Sequence, residues 1–121
     1  TKYGAYKEYH TSLDNLSYIS PEGLFGAYKV LANCIECIEN NKTYKTTVLC
    51  EPQMGRRNLR PSLGGSTSIA VDVKLMSDIL VYADGKHDLL SISNKLDVSM
   101  FKVLESVEIL VKEKLLTECV S

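Results

Sequence analysis

Residues 9–15, Tyr-His-Thr-Ser-Leu-Asp-Asn, bring an imidazole, two hydroxyls and a carboxylate together in a stretch without helical periodicity. Neutral imidazole is a good Zn²⁺ donor, and loops carried on a rigid frame are favoured places for ligands. One histidine does not make a metal site, so His10 taken by itself also fits a surface or hydrogen-bonded role. A second concentration of chemistry is Arg56, Arg57 and Arg60, whose guanidinium forks suit carboxylates and phosphates. The competing reading is that these arginines pin their segment to a neighbouring domain through ion pairs and backbone carbonyls. His87 is the other histidine, placed at the start of a short helix, where a solvated or capping role is expected. Cys34, Cys37, Cys50 and Cys119 could form two disulfides or part of a metal cluster. A second Cys-x-x-Cys pair is missing, however, so buried reduced thiols of a cytosolic protein are the expectation.

The elements that would hold these groups follow from patterning. The segment up to Ile19 reads as a loop or short strand leading to a turn. Ser20 can cap a helix, Pro21 suits its first position and Glu22 favours the positive end of its dipole. Leu24, Ala27, Tyr28, Leu31, Ile35 and Ile38 then recur at three- and four-residue steps as one apolar stripe, ended by Asn40 and Asn41. Tyr44 to Leu49, rich in Thr and Val, suits a short strand. The following run to Gly64-Gly65 has turn formers, arginines and almost no periodicity, which predicts an extended connector over 43–65.

Beyond it, Ile69, Val73, Met76, Leu80 and Ala83 make a helical stripe stopped at Asp84-Gly85. A short helix with Asp88 near its start, a tight turn at Asp97-Val98-Ser99 and a long helix capped by Ser99 come next. Leu116 to Val120 suits a closing strand. Helix, short helix, tight turn, long helix and strand is the order of a winged helix-turn-helix.

Bulk properties narrow the function classes. With 45% hydrophobic and 24% charged residues among 121, the chain is an ordinary folded protein. No apolar run approaches the roughly 20 residues needed to cross a bilayer, and no signal peptide is visible, so a cytoplasmic, membrane-free protein is expected. The chain opens on Thr1 without an initiator Met, so the natural N-terminus is expected to lie upstream. Residues 1–65 carry eight Lys/Arg against six Asp/Glu, and residues 66–121 six against nine, or −3. The expected long helix holds Lys102, Lys112 and Lys114 against Glu105, Glu108 and Glu113, and its exposed face lacks the Arg and Asn that usually read base edges. Electrostatics therefore oppose duplex binding, and the winged helix is expected to pack, to pair in a homo-oligomer or to engage a protein partner rather than nucleic acid.

The string YHTSLDNL followed by SPEGL resembles the end of the catalytic domain in the co-catalytic zinc aminopeptidase family, where a Tyr/Phe-His-Thr/Ser-x-x-Asp loop supplies the last metal ligand. Together with LCEPQMGRRNL it looks like the bacterial aminopeptidase-like proteins often associated with polysaccharide biosynthesis, whose chains end in a winged helix. The resemblance covers essentially all 121 residues. It implies an α/β catalytic-domain remnant (loop, helix, short strand) at 1–42, the connector at 43–65 and a mainly α winged helix-turn-helix at 66–121. By the same resemblance His10 is a zinc ligand, Tyr9 and Asp14 shape or support it, and the general base and remaining ligands lie upstream. The parent protein would then use zinc to activate water against a peptide or amide bond. These 121 residues alone would be inactive.

Overall fold

The computed structural model describes residues 4–57, 59 and 72–119. The chain divides into two compact units, Thr1–Glu36 and Cys37–Ser121.

The first unit is a run of turns followed by most of helix α1, Pro21–Glu39. The helix starts where its caps predict. Ser20 Oγ accepts the Gly23 N–H at 3.1 Å and Pro21 occupies the first helical position, where its missing N–H costs nothing. Before it the chain is turn upon turn. Thr11 N–H and Oγ1 both donate to the Glu8 carbonyl, at 2.9 and 2.6 Å, and the Asp14 N–H donates to the Thr11 carbonyl at 3.1 Å. Asn15 Oδ1 accepts the Ser17 N–H at 2.9 Å, an Asx turn that leads toward the helix. No residue of α1 is buried, so its stripe is in place but uncovered.

The second unit holds the core. Strand β1, Thr43–Thr46, pairs antiparallel with β2, Asp84–Asp88, and with β3, Leu116–Glu118, giving a sheet ordered β2-β1-β3. Tyr44 lies opposite Glu118 and Thr46 opposite Leu116, while the pairing with β2 is irregular between Thr43 and Lys45. Helices α2, Val73–Tyr82, α3, Leu89–Leu96, and α4, Met100–Lys112, pack around Met76, Ile79, Leu89, Ile92, Val103, Val107 and Leu110. The short strand expected inside the connector is thus the middle strand of the sheet. Met54 and Leu59, also in the expected connector, are buried in the same core. The glycine pair and Ile69 lie outside the described residues.

Side chains fix where the helices begin and end. Asp72 Oδ1 accepts the Leu75 N–H at 3.0 Å and Asp88 Oδ1 accepts the Ser91 N–H at 2.8 Å, capping α2 and α3. Asp97 at φ +52° closes α3 in the left-handed region, and Ser93 Oγ donates to the Val98 carbonyl at 2.6 Å. Ser99 stands at the N-cap of α4 as expected but makes no side-chain cap bond. Two further expectations need correction. His87 lies in β2, not at a helix start, because Gly85 at φ +82° turns the chain into a strand after α2 has ended at Tyr82. The thiols are free, as expected, but Cys34 and Cys50 are exposed and Cys37 and Cys119 only half-buried.

Backbone N–H donors from Lys86 and His87 converge on Asp84 and hold its carboxyl at about 2, well below the ordinary carboxylate range. The Ser91 hydroxyl and N–H, with the Asn41 amide, lower Asp88 in the same direction. A carboxyl depressed in the folded state adds stability above its unfolded value of about 3.9, and that contribution is lost as the pH falls through the folded value. Melting temperature is therefore expected to fall between pH 4 and 2, and more shallowly in Asp84→Asn, which keeps an acceptor without the charge. Parallel slopes for the two proteins across that window would show that Asp84 has no part in the acid transition.

Candidate functional site

The His10 loop is assembled from aromatic rings. Tyr6 stacks on Tyr18 with centroids 5.2 Å apart and meets Tyr9 edge-on at 5.6 Å. The Tyr9 ring lies 4.2 Å from the imidazole of His10, tilted by 54°. His10 itself is exposed and sits at φ +57°, a left-handed conformation uncommon outside glycine. Such strain persists where the surroundings hold it. Here three rings and the overlapping turns of residues 8–18 do so.

Of the two expected supporters, Tyr9 touches the imidazole. The Asp14 carboxylate instead accepts the Tyr6 hydroxyl at 3.4 Å, a long bond that ties the far end of the loop to the ring cluster. Tyr6 and Tyr18 escaped the sequence reading, although tyrosines at 3, 6, 9 and 18 are dense enough to have signalled an aromatic knot. Among the described residues no group of three or more His, Cys, Asp or Glu could hold a metal. Among the described residues the His10 loop thus presents a single imidazole, with no set of donor groups around it to complete a metal site.

The arginines do different things. Arg57 closes the single 3-10 turn Met54–Arg57, and its Nη1 donates at 2.7 Å to the Glu113 carbonyl at the end of α4, with the Glu113 carboxylate 3.7 Å away. A cation on the terminal carbonyls of a helix meets both an unpaired acceptor and the negative end of the dipole. Arg57 therefore pins its segment through an ion pair and a backbone carbonyl, and the anchor is the winged helix. Arg56 is exposed, and Arg60 lies outside the described residues. His87 Nδ1 stands 3.1 Å from Asp84 Oδ1 within the turn that opens β2, a local structural role.

Asn41 links α1's end to α3. Its Oδ1 accepts the Leu90 N–H at 2.9 Å and its Nδ2 donates to Asp88 Oδ2 at 3.0 Å, so the residue expected only to stop α1 also completes the cap of α3. On α4, Lys102, Glu105, Glu108 and Lys112 are exposed together, a mixed surface rather than a basic one. No helix among the described residues is long and apolar enough to cross a membrane.

Comparison with known proteins divides the chain at nearly the same place as the fold. Residues 42–118 match a winged helix-turn-helix family, and residues 1–41 match a family described only as a domain of unknown function. The chain is 37% identical over 109 residues to a Clostridium acetobutylicum protein provisionally named for polysaccharide biosynthesis with an aminopeptidase-like domain; the match covers 89% of this chain and 25% of that protein, in its C-terminal part. A crystal structure of a provisionally named peptidase from Clostridium acetobutylicum superposes with a TM-score of 0.79 at 34% identity, covering 94% of this chain and 24% of that one. The chain therefore spans about a quarter of the length of the relatives it matches.

Proposed function

Through residues 42–118 this chain belongs to the winged helix-turn-helix family, and from that premise we propose that it forms the C-terminal part of a zinc-dependent, cytoplasmic aminopeptidase-like hydrolase acting on a peptide or amide bond. The observation that carries the reading is His10. It is an exposed imidazole, held at a strained φ of +57° by a knot of tyrosines, in a chain aligned over 89% of its length with an aminopeptidase-like relative. A ligating histidine needs its ring fixed in orientation, and Tyr9 against the imidazole supplies that restraint. Bound zinc would lower the pKa of a water toward neutrality and polarise the scissile carbonyl. Within this chain His10 presents a ring nitrogen, Tyr9 restrains the ring, and Tyr6 with Asp14 holds the turn that carries it. The remaining donors and the general base belong to the region that precedes the match in the relative.

The test uses the longer protein that contains this chain, native and His10→Ala, measured for metal by elemental analysis after exhaustive dialysis. Stoichiometric zinc in the native protein, falling by at least one equivalent or by tenfold or more in affinity in the variant, is the expected result, in keeping with the loss of a ligand. Equal zinc in the two proteins would remove His10 from the ligand set.

A second reading is a non-catalytic module whose winged helix recruits a protein partner. It is favoured by the surface of α4, where exposed lysines and glutamates balance and the half-exposed Val111 lies beside Leu104 and Val107 in a groove against Tyr44 of β1. Phosphate neutralisation by Lys and Arg supplies most nonspecific DNA affinity, and this face offers too little excess charge for it.

A further inference from the structure

Helix α1 presents a long apolar face to solvent. Leu24, Tyr28, Leu31, Ile35 and Ile38 follow one another at steps of three and four, so they lie on one side, and they are 57–74% exposed. Leu13 and Leu16 on the turns before it are also exposed. The second unit gathers most of its apolar side chains into one core cluster, with Leu49, Val81, Leu90 and Val111 left exposed singly. Contiguous exposed apolar surface of this extent marks an interaction site in a soluble protein.

We infer that the Leu24–Tyr28–Leu31–Ile35 face of α1 is an intramolecular docking surface, covered by the aminopeptidase-like region that precedes this stretch in its longer relatives. The inference rests on the functional reading above and gives it a mechanical element. The helix follows the His10 loop directly, so seating its apolar face would set where the imidazole is delivered. Two facts select this occupant over a second copy of the chain. The fold is shared over 94% of this chain with a protein of which it makes up 24%, so in that relative the same helix is tethered to about three quarters of a polypeptide. A tethered surface competes at an effective concentration in the millimolar range, well above that of a free second copy. In folded proteins most of a helix's stability comes from packing its amphipathic face, and that face of the 19-residue α1 is left for the preceding region to cover.

The test is site-resolved thiol labelling of the longer protein with a maleimide, the rate at each site read by peptide mass spectrometry so that the natural cysteines can stay. Leu31→Cys places the probe on the apolar face and Lys29→Cys places it roughly 160° around the helix at 100° per residue. Ala27→Cys, a smaller change on the same side as Leu31, serves if the leucine variant is poorly folded. Labelling at 31 and 27 is expected to be about tenfold or more slower than at 29 in the native protein, and equal to it after denaturation, because exposure governs thiol reactivity. Protection that persists on dilution in a protein shown to be monomeric by light scattering supports the inference. Equal native rates at all three sites overturn it, and protection lost on dilution assigns the face to a second copy and overturns it too. A protected face in a protein that binds no zinc would sink the hydrolase reading while leaving the docking surface standing.

Discussion

Leu110→Ala is expected to lower the stability of the winged-helix unit by about 3 kcal/mol, within the roughly 2–5 kcal/mol range for truncating a buried leucine. Leu110 is fully buried on α4, the helix that packs against α2, α3 and β3, and its carbonyl accepts the Leu115 N–H at 2.8 Å where the chain turns toward β3. Removing its isobutyl group leaves a cavity in the core cluster it shares with Ile79, Ile92, Val103 and Val107, and a close-packed interior collapses only partly into such a space. For a unit of this size such a loss shifts the melting midpoint by roughly 12–24 °C. Thermal or urea unfolding followed by circular dichroism measures it. A shift under about 2 °C would mean that the core is not closed around α4 as described.

Met54→Ala carries the second largest effect, about 2 kcal/mol, at the low end of the roughly 2–5 kcal/mol scale for buried aliphatic and thioether side chains. Met54 is 1% exposed although it sits in a stretch whose composition predicts an extended connector. Its carbonyl accepts the Leu59 N–H at 3.1 Å, which folds Leu59 back into the same cluster, and Arg57, three residues on, is bonded to the end of α4. The segment is thus tied down by an apolar plug and a charge-assisted bond. A polar surface linker would tolerate this substitution within about 0.5 kcal/mol. Chemical denaturation of Met54→Ala beside Gln53→Ala, an exposed neighbour, separates the two cases. Equal midpoints would return 51–59 to the status of a linker.

How much could be read in advance depended on range. The helix-turn-helix order was legible because α2, α3 and α4 each carry their own apolar periodicity and local stops: Asp84-Gly85 after α2, Asp88 at the start of α3 and Asp97 in the left-handed turn; the Asp72 cap of α2 was not read. These are contacts across three or four residues, which local sequence specifies fully. The start of α1 at Ser20 and Pro21 was legible for the same reason. Strand β2 was not. Asp-Gly-Lys-His-Asp has no alternating apolar pattern, and it is extended because β1, some forty residues earlier, offers its backbone groups.

The site divides along the same line. His10 and Tyr9 were singled out by a motif that resembles one of aminopeptidase-like proteins, and in the structure their rings lie 4.2 Å apart. The roles of Tyr6 and Tyr18 depended on ring geometry, which spacing does not encode. Arg57 was legible as a cation, but its acceptor lies 56 residues away at the end of α4, and nothing in the local sequence names that partner.

By itself, then, the sequence determined the order of the helices, the starts of α1 and α3, the histidine loop and the near-neutral surface, because propensity, periodicity and charge act within a turn or two. The tertiary structure decided that Thr43–Thr46 is the central strand and that Met54 belongs to the core. It also decided that the stripe of α1 remains uncovered within the residues described. Those outcomes depend on pairing between distant segments, where the free energy comes from burial and backbone hydrogen bonds that no single segment can supply alone.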